Sequence, residues 1–188
     1  MKNSAAKITS KRPAYWALSS AMTLMLVGIT SAWAGDGPTP NAPDKECGLS
    51  TQQQEMLALV NEARSQARQC GDQQFAATEP LTWNCKLARA SQLHAEDMAE
   101  NDYVSHTSPD GSGIEQRINN QGYPWQAVGE NIAAGQLSAA AVVEGWLESP
   151  GHCSNIMNAT FTEIGMASAQ NADSQFTTYW AQALGNAR

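Results

Sequence analysis

The chain has 188 residues, with 11 Lys and Arg against 18 Asp and Glu, and four cysteines. That length suits one ordinary domain plus a leader. Its formal charge is −7, and with the basic residues of its first twelve positions set aside no basic stripe is left to meet phosphates, so a nucleic-acid partner is not expected.

Lys2, Lys7, Lys11 and Arg12 form a basic start, and Ala14 to Ala34 then carries no charge. Ala32-Trp33-Ala34 places small residues where a signal peptidase needs them, so residues 1–34 read as a secretory signal cut after Ala34. The competing reading is an uncleaved anchor, since 21 uncharged residues are long enough to span a bilayer. The short apolar core and the polar Gly-Asp-Gly-Pro that follows favour cleavage, with no stable membrane span afterwards. Cleavage leaves 7 basic residues against 18 acidic ones, a balance of −11. Residues 35–46, rich in Gly and Pro, predict a flexible linker, and the domain is expected over 47–188.

The first helix is predicted from a Ser50 or Thr51 cap to about Gln69, with Met56, Leu59, Val60, Ala63 and Ala67 as its apolar stripe. Leu81-Thr82-Trp83 reads as a short extended piece. Asn84 caps a second helix over roughly Cys85 to Asn101, on which Leu87, Ser91, His94 and Met98 share one face. Tyr103 to Gly113 is a loop turning at Pro109-Asp110-Gly111. Ile114 to Asn120 reads as a short helix, and Val128 to Ala133 as a strand. Ser138 caps a helix over Ala139 to Glu148, which Pro150-Gly151 breaks before a helical turn running to Asn158. Thr162 to Ser168 and Gln175 to Leu184 flank a polar loop and predict a hairpin. Helices before and between strands predict a mixed α/β layered domain, and the non-alternating apolar strands predict a sheet covered on both faces.

Cys47, Cys70, Cys85 and Cys153 are an even set in an exported chain and imply two disulfides. Three pairings are open from the residues alone. A bridged Cys153 speaks against a catalytic thiol beside His152. The histidines are His94, His106 and His152. His106 sits in a polar loop and His152 follows a helix break, while Glu130 interrupts an apolar strand. A charge there needs a partner. Two imidazoles and a carboxylate suit zinc or another divalent cation, and equally suit acid–base work. The bland alternatives are that Glu130 bonds neighbouring backbone amides and that His106 holds its own turn. His94, on the apolar face, reads as a core histidine. No nucleophile elbow surrounds Ser105 or Ser154.

The series NEAR, PLTW, LHAEDM, SHTSPDG, GENIAAG, GWLESPGHCSNIMN, FTEIG and YWAQALG resembles the CAP family. That family groups cysteine-rich secretory proteins, venom allergens and plant pathogenesis-related proteins of class one, also called SCP domains. The likeness is to its bacterial secreted members and covers about Gln54 to Gly185. It implies an α+β fold, a three-layer α-β-α sandwich with a central antiparallel sheet and a broad cleft. It also implies that His106 and His152 bind a divalent metal, with Glu130 supporting them from behind. Where many relatives carry a second cleft glutamate, this chain has Ser149. Glu148 is one residue early, about 100° round a helix, and reaches the cleft only if the helix end unwinds. Bacterial relatives further imply Cys70–Cys153, leaving Cys47–Cys85, with Cys70–Cys85 and Cys47–Cys153 as the alternative.

What the resemblance implies for function is a secreted or periplasmic domain whose cleft binds an extracellular ligand, a lipid, a small molecule or a protein. A metal- or carboxylate-assisted hydrolase acting through His106, Glu130 and His152 is one alternative. A structural extracellular domain without metal is the other.

Overall fold

The computed structural model describes residues 47–188; the expected signal segment and linker lie outside the described residues. Helix α1 covers Thr51–Arg64. Its start is a reciprocal capping box: Gln53 N donates to Ser50 Oγ at 3.2 Å, and Ser50 N donates to Gln53 Oε1 at 3.0 Å. The helix stops five residues before the expected Gln69. Residues Arg68–Cys70 instead form strand β1, which pairs with β2 (Gln73–Phe75). Gly71 turns this hairpin at φ +61, a left-handed conformation, and lies against the Pro150 ring. Closing the hairpin takes these residues out of helical geometry.

Strand β3 is Thr82–Trp83, and α2 covers Cys85–Glu100. The Asn84 side chain accepts from Lys86 N and Leu87 N, which fixes the start of α2 where the cap predicts it. Helix α3 is Ile114–Asn120, and β4 is Trp125–Ala134. Helix α4 covers Ala139–Glu148, with Ser138 Oγ accepting from Ala141 N. Ser149 then ends one helix and begins the next, because Pro150 occupies the first position of α5 (Pro150–Met157). Strands β5 (Glu163–Gln170) and β6 (Thr178–Ala187) make the predicted hairpin, in antiparallel register from Glu163↔Gly185 to Gln170↔Thr178.

The main sheet has the order β3-β5-β6-β4. It is antiparallel except at one edge, where β3 runs parallel to β5. The central strands are antiparallel as expected, and the two-residue β3 is added in parallel at one edge. Strands β3 and β5 are separated by four helices, so no tight turn dictates their relative direction.

Both faces of the sheet are covered, which makes the fold an α-β-α sandwich. On β6, Trp180 and Leu184 pack with Met56 and Val60 of α1, Trp146 of α4 and Ile156 of α5. The alternate residues Tyr179 and Ala181 pack with Ala95, Met98 and Ala99 of α2, and Ala183 packs with Leu87 and Ala90. The four residues predicted to share one face of α2, including His94, are all buried. Gly165 of β5 lets α2 sit directly on the sheet: a Cβ there would overlap the backbone of Leu87 and Ala88.

The cysteines pair as Cys47–Cys85 and Cys70–Cys153, with Cα separations of 5.8 and 5.5 Å. The first ties the domain's start to α2. The second ties the β1–β2 hairpin to α5.

Candidate functional site

The candidate site is built around Glu130, in the middle of β4 opposite Ala183. Its side chain is only 4 % exposed. A carboxylate so placed requires compensation, and it receives two charge-assisted hydrogen bonds. Arg117 Nη2 donates to Oε2 at 2.7 Å, and His106 Nδ1 donates to Oε1 at 2.8 Å. His94 Nε2 lies 3.9 Å from the same Oε1. Glu130 therefore pairs with side chains, and not with the neighbouring backbone amides.

His106 stands on the loop between α2 and α3. Three anchors hold that loop from inside. Arg117 Nη2 donates to the His106 carbonyl at 3.0 Å and Arg117 Nη1 to the Ser112 carbonyl at 2.9 Å. His94 Nε2 donates to the Ser105 carbonyl at 3.0 Å. The Tyr103 hydroxyl, bonded to Asp97, reaches Ser108 Oγ. The ring of His106 is left more than half exposed. Its hydrogen bond to Glu130 raises its pKa, against a smaller opposing effect of desolvation.

His152 is carried by the first turn of α5. Its carbonyl accepts from Asn131 Nδ2 at 3.2 Å, and Asn155 Nδ2 donates to both the Glu130 carbonyl and Asn131 Oδ1. Asn131 Nδ2 also donates to Gln182 Oε1 at 2.7 Å. This amide network, with Asn131 and Gln182 fully buried, joins β4, β6 and α5. The far end of α5 is fastened by Arg64, which is 1 % exposed and faces carbonyls instead of a carboxylate. Its guanidinium donates to the carbonyls of Ile156, Asn158, Phe161 and Glu79. The first two lie at the negative end of the α5 dipole, a favourable place for a cation. Desolvation lowers the pKa of the His152 ring, and the charge of His106 lowers it further.

Glu148 is exposed at the end of α4 and lines a different hollow, between α1 and α4, beside Leu59, Glu62 and Glu144. Among the described residues, no group of three or more His, Cys, Asp or Glu side chains is placed to hold a metal ion.

Sequence reasoning missed Arg117, Arg64 and the Asn131–Asn155 pair. The signal for Arg117 was indirect: Glu130 in an apolar strand demanded a cation. The asparagines carried a weaker signal, being amides inside the apolar-flanked stretches GENI and CSNI.

Comparison with known proteins adds to this picture. The model of the family described as CAP, cysteine-rich secretory protein family, matches residues 57–184. The chain is 37 % identical over 86 residues to "Uncharacterized membrane protein YlbC" of Bacillus subtilis (strain 168), a stretch covering 46 % of this chain and 25 % of that protein. It is 30 % identical over 128 residues to "Uncharacterized protein YkwD" of the same organism, covering 68 % of this chain and 45 % of that protein. The chain thus spans less than half the length of either curated relative. Among solved structures, an extracellular protein containing a SCP domain from Bacillus anthracis str. Ames superimposes with a TM-score of 0.59 at 28 % identity. That match covers 72 % of this chain and 40 % of the other.

Proposed function

The chain belongs to the cysteine-rich secretory protein (CAP) family, and from that premise we propose that it is an extracellular binding domain whose cleft captures a divalent cation together with a ligand. Two disulfides support an oxidising, extracellular setting, as does the extracellular relative. No helix among the described residues is long and apolar enough to cross a membrane.

The observation carrying the reading is the 2.8 Å bond from His106 Nδ1 to Glu130. By donating from Nδ1, a neutral His106 keeps its lone pair on Nε2, the arrangement in which a carboxylate behind a histidine makes a better metal ligand. His152, its pKa lowered, supplies a second neutral imidazole. Glu130 has both oxygens engaged and acts from behind the ring. The donor set fits an exchangeable ion held by His106 and His152, and not a closed structural zinc, which takes four protein ligands. Zinc in this position would offer its remaining sites to donors of the bound lipid, small molecule or protein. The engagement of both Glu130 oxygens counts against the hydrolytic reading, which needs a free base to activate water.

The test is zinc binding by dialysis and metal analysis on wild type, His106→Ala, His152→Ala and Glu130→Gln. We expect both alanine variants to lose zinc with unchanged circular dichroism, and Glu130→Gln to bind it about 10–100-fold more weakly. Wild type that takes up no zinc in excess ion removes this reading and leaves a cleft acting without metal.

A further inference from the structure

Around His106 and His152 the oxygens are engaged, while ring nitrogens are left over. Glu130 Oε2 accepts from Arg117 at 2.7 Å, and Oε1 accepts from His106 Nδ1 at 2.8 Å. The His106 carbonyl accepts from Arg117, and the His152 carbonyl from Asn131. The Glu130 carbonyl and Asn131 Oδ1 both accept from Asn155. By contrast, His106 Nε2 and the His152 ring make no hydrogen bond among the described residues.

Among the described residues, Glu130 is the one carboxylate within reach of a His106 nitrogen. Asp97 is bonded by Tyr103 and Asn101, and Glu148 lines the hollow between α1 and α4. Glu130 therefore decides whether the site offers an anionic oxygen, and Arg117 decides whether Glu130 can. Its Nη2 bridges the carboxylate and the His106 carbonyl, while Nη1 holds the Ser112 carbonyl. The guanidinium cannot leave Glu130 without giving up the loop. The two side chains are 9 % and 4 % exposed, so water does little to loosen the pair. Their charges cancel, which removes the negative field along with the free oxygen.

This arrangement sorts cations. Calcium, magnesium and manganese are held by carboxylate and carbonyl oxygens, whereas zinc, nickel and copper take imidazole nitrogen. Resting on the reading of His106 and His152 as ion ligands, we infer that Arg117 is the specificity-determining residue of the site. By withholding Glu130 it admits nitrogen-binding cations and excludes oxygen-binding ones.

The experiment is equilibrium dialysis of the metal-stripped protein against zinc or manganese, with manganese also read from paramagnetic broadening of the His106 and His152 ring signals. Wild type is expected to bind zinc about 100-fold or more tightly than manganese. Arg117→Met frees Glu130 Oε2 and its charge, and is expected to strengthen manganese binding about tenfold or more. Arg117→Met combined with Glu130→Gln is expected to return manganese binding to the wild-type level. Arg117→Lys keeps a cation beside the carboxylate and is expected to keep the wild-type preference. Circular dichroism checks that each variant is folded. Wild type that binds manganese as tightly as zinc overturns the inference, whether or not Arg117→Met folds. Zinc uptake by wild type without a gain of manganese in folded Arg117→Met also overturns it, as does a gain that the double variant retains. These results leave the reading of the two histidines standing. Wild type that takes up neither ion removes that reading and this inference together.

Discussion

Arg117 and Glu130 form a pair whose side chains are 9 % and 4 % exposed. Taking two charges out of water is expensive, and the pair persists because each satisfies the other. Removing one partner leaves the other charge stranded. Arg117→Met is therefore expected to destabilise the fold by about 3–5 kcal/mol, read from urea unfolding. The double variant with Glu130→Gln should recover part of that loss, because no buried charge remains. If Arg117→Met unfolds at the wild-type midpoint, Glu130 does not depend on Arg117. His94 gives a second prediction at this scale. Its folded pKa lies below the unfolded value of about 6.5, because burial disfavours the cation. The unfolded chain then binds more protons, so this residue's contribution is complete above about pH 6.5 and is lost as pH falls through the folded pKa. His94→Gln keeps a donor for the Ser105 carbonyl and should flatten the decline of the urea midpoint below about pH 6.5. An unaltered slope would show that His94 is not the titrating group. His106, whose folded pKa is raised, acts in the opposite sense: its contribution fades as pH rises through that pKa.

Among the elements, starts were easier to read than ends. Ser50, Asn84 and Ser138 each cap the helix predicted to follow them, because the cap bonds to residues two or three positions on. The end of α1 was misread, since it depends on a hairpin whose turn packs on Pro150, some eighty residues away in sequence. Local pattern contains no record of that contact. Gly165 makes the same point for packing. The sequence shows only a glycine in FTEIG, yet the α2 backbone occupies the space a side chain would need. Gly165→Ala is expected to cost about 1–3 kcal/mol or more through overpacking, measured as a lowered thermal midpoint. A neutral result would mean that α2 can shift off the sheet freely.

For the whole molecule, the second disulfide is one of three ties that hold α5, beside Arg64 and the Asn131–Asn155 network. Cys153 follows His152 directly, and its bridge to Cys70 spans 83 positions. Replacing both cysteines with serine should lower stability by about 2–5 kcal/mol. Because Arg64 and the Asn131–Asn155 network also hold α5, the variant should still fold, with amide exchange quickened first around residues 150–153. Uniform quickening across the domain would instead make the bridge a global staple with no particular bearing on the cleft.

Some properties needed nothing beyond the order of residues. Helix starts, the terminal hairpin, an even set of cysteines forming two bridges and the ordered motifs of a CAP domain are local or compositional signals. They survive because capping, turn chemistry and alternation act over a few positions. The occupants of the cleft are another matter. Glu130 meets an arginine thirteen positions back and a histidine twenty-four back, and Glu148 faces a separate hollow one helix end away. Which charges become neighbours follows from how α2, α3 and the sheet are stacked, and the strength of each pairing depends on how much water that stacking excludes.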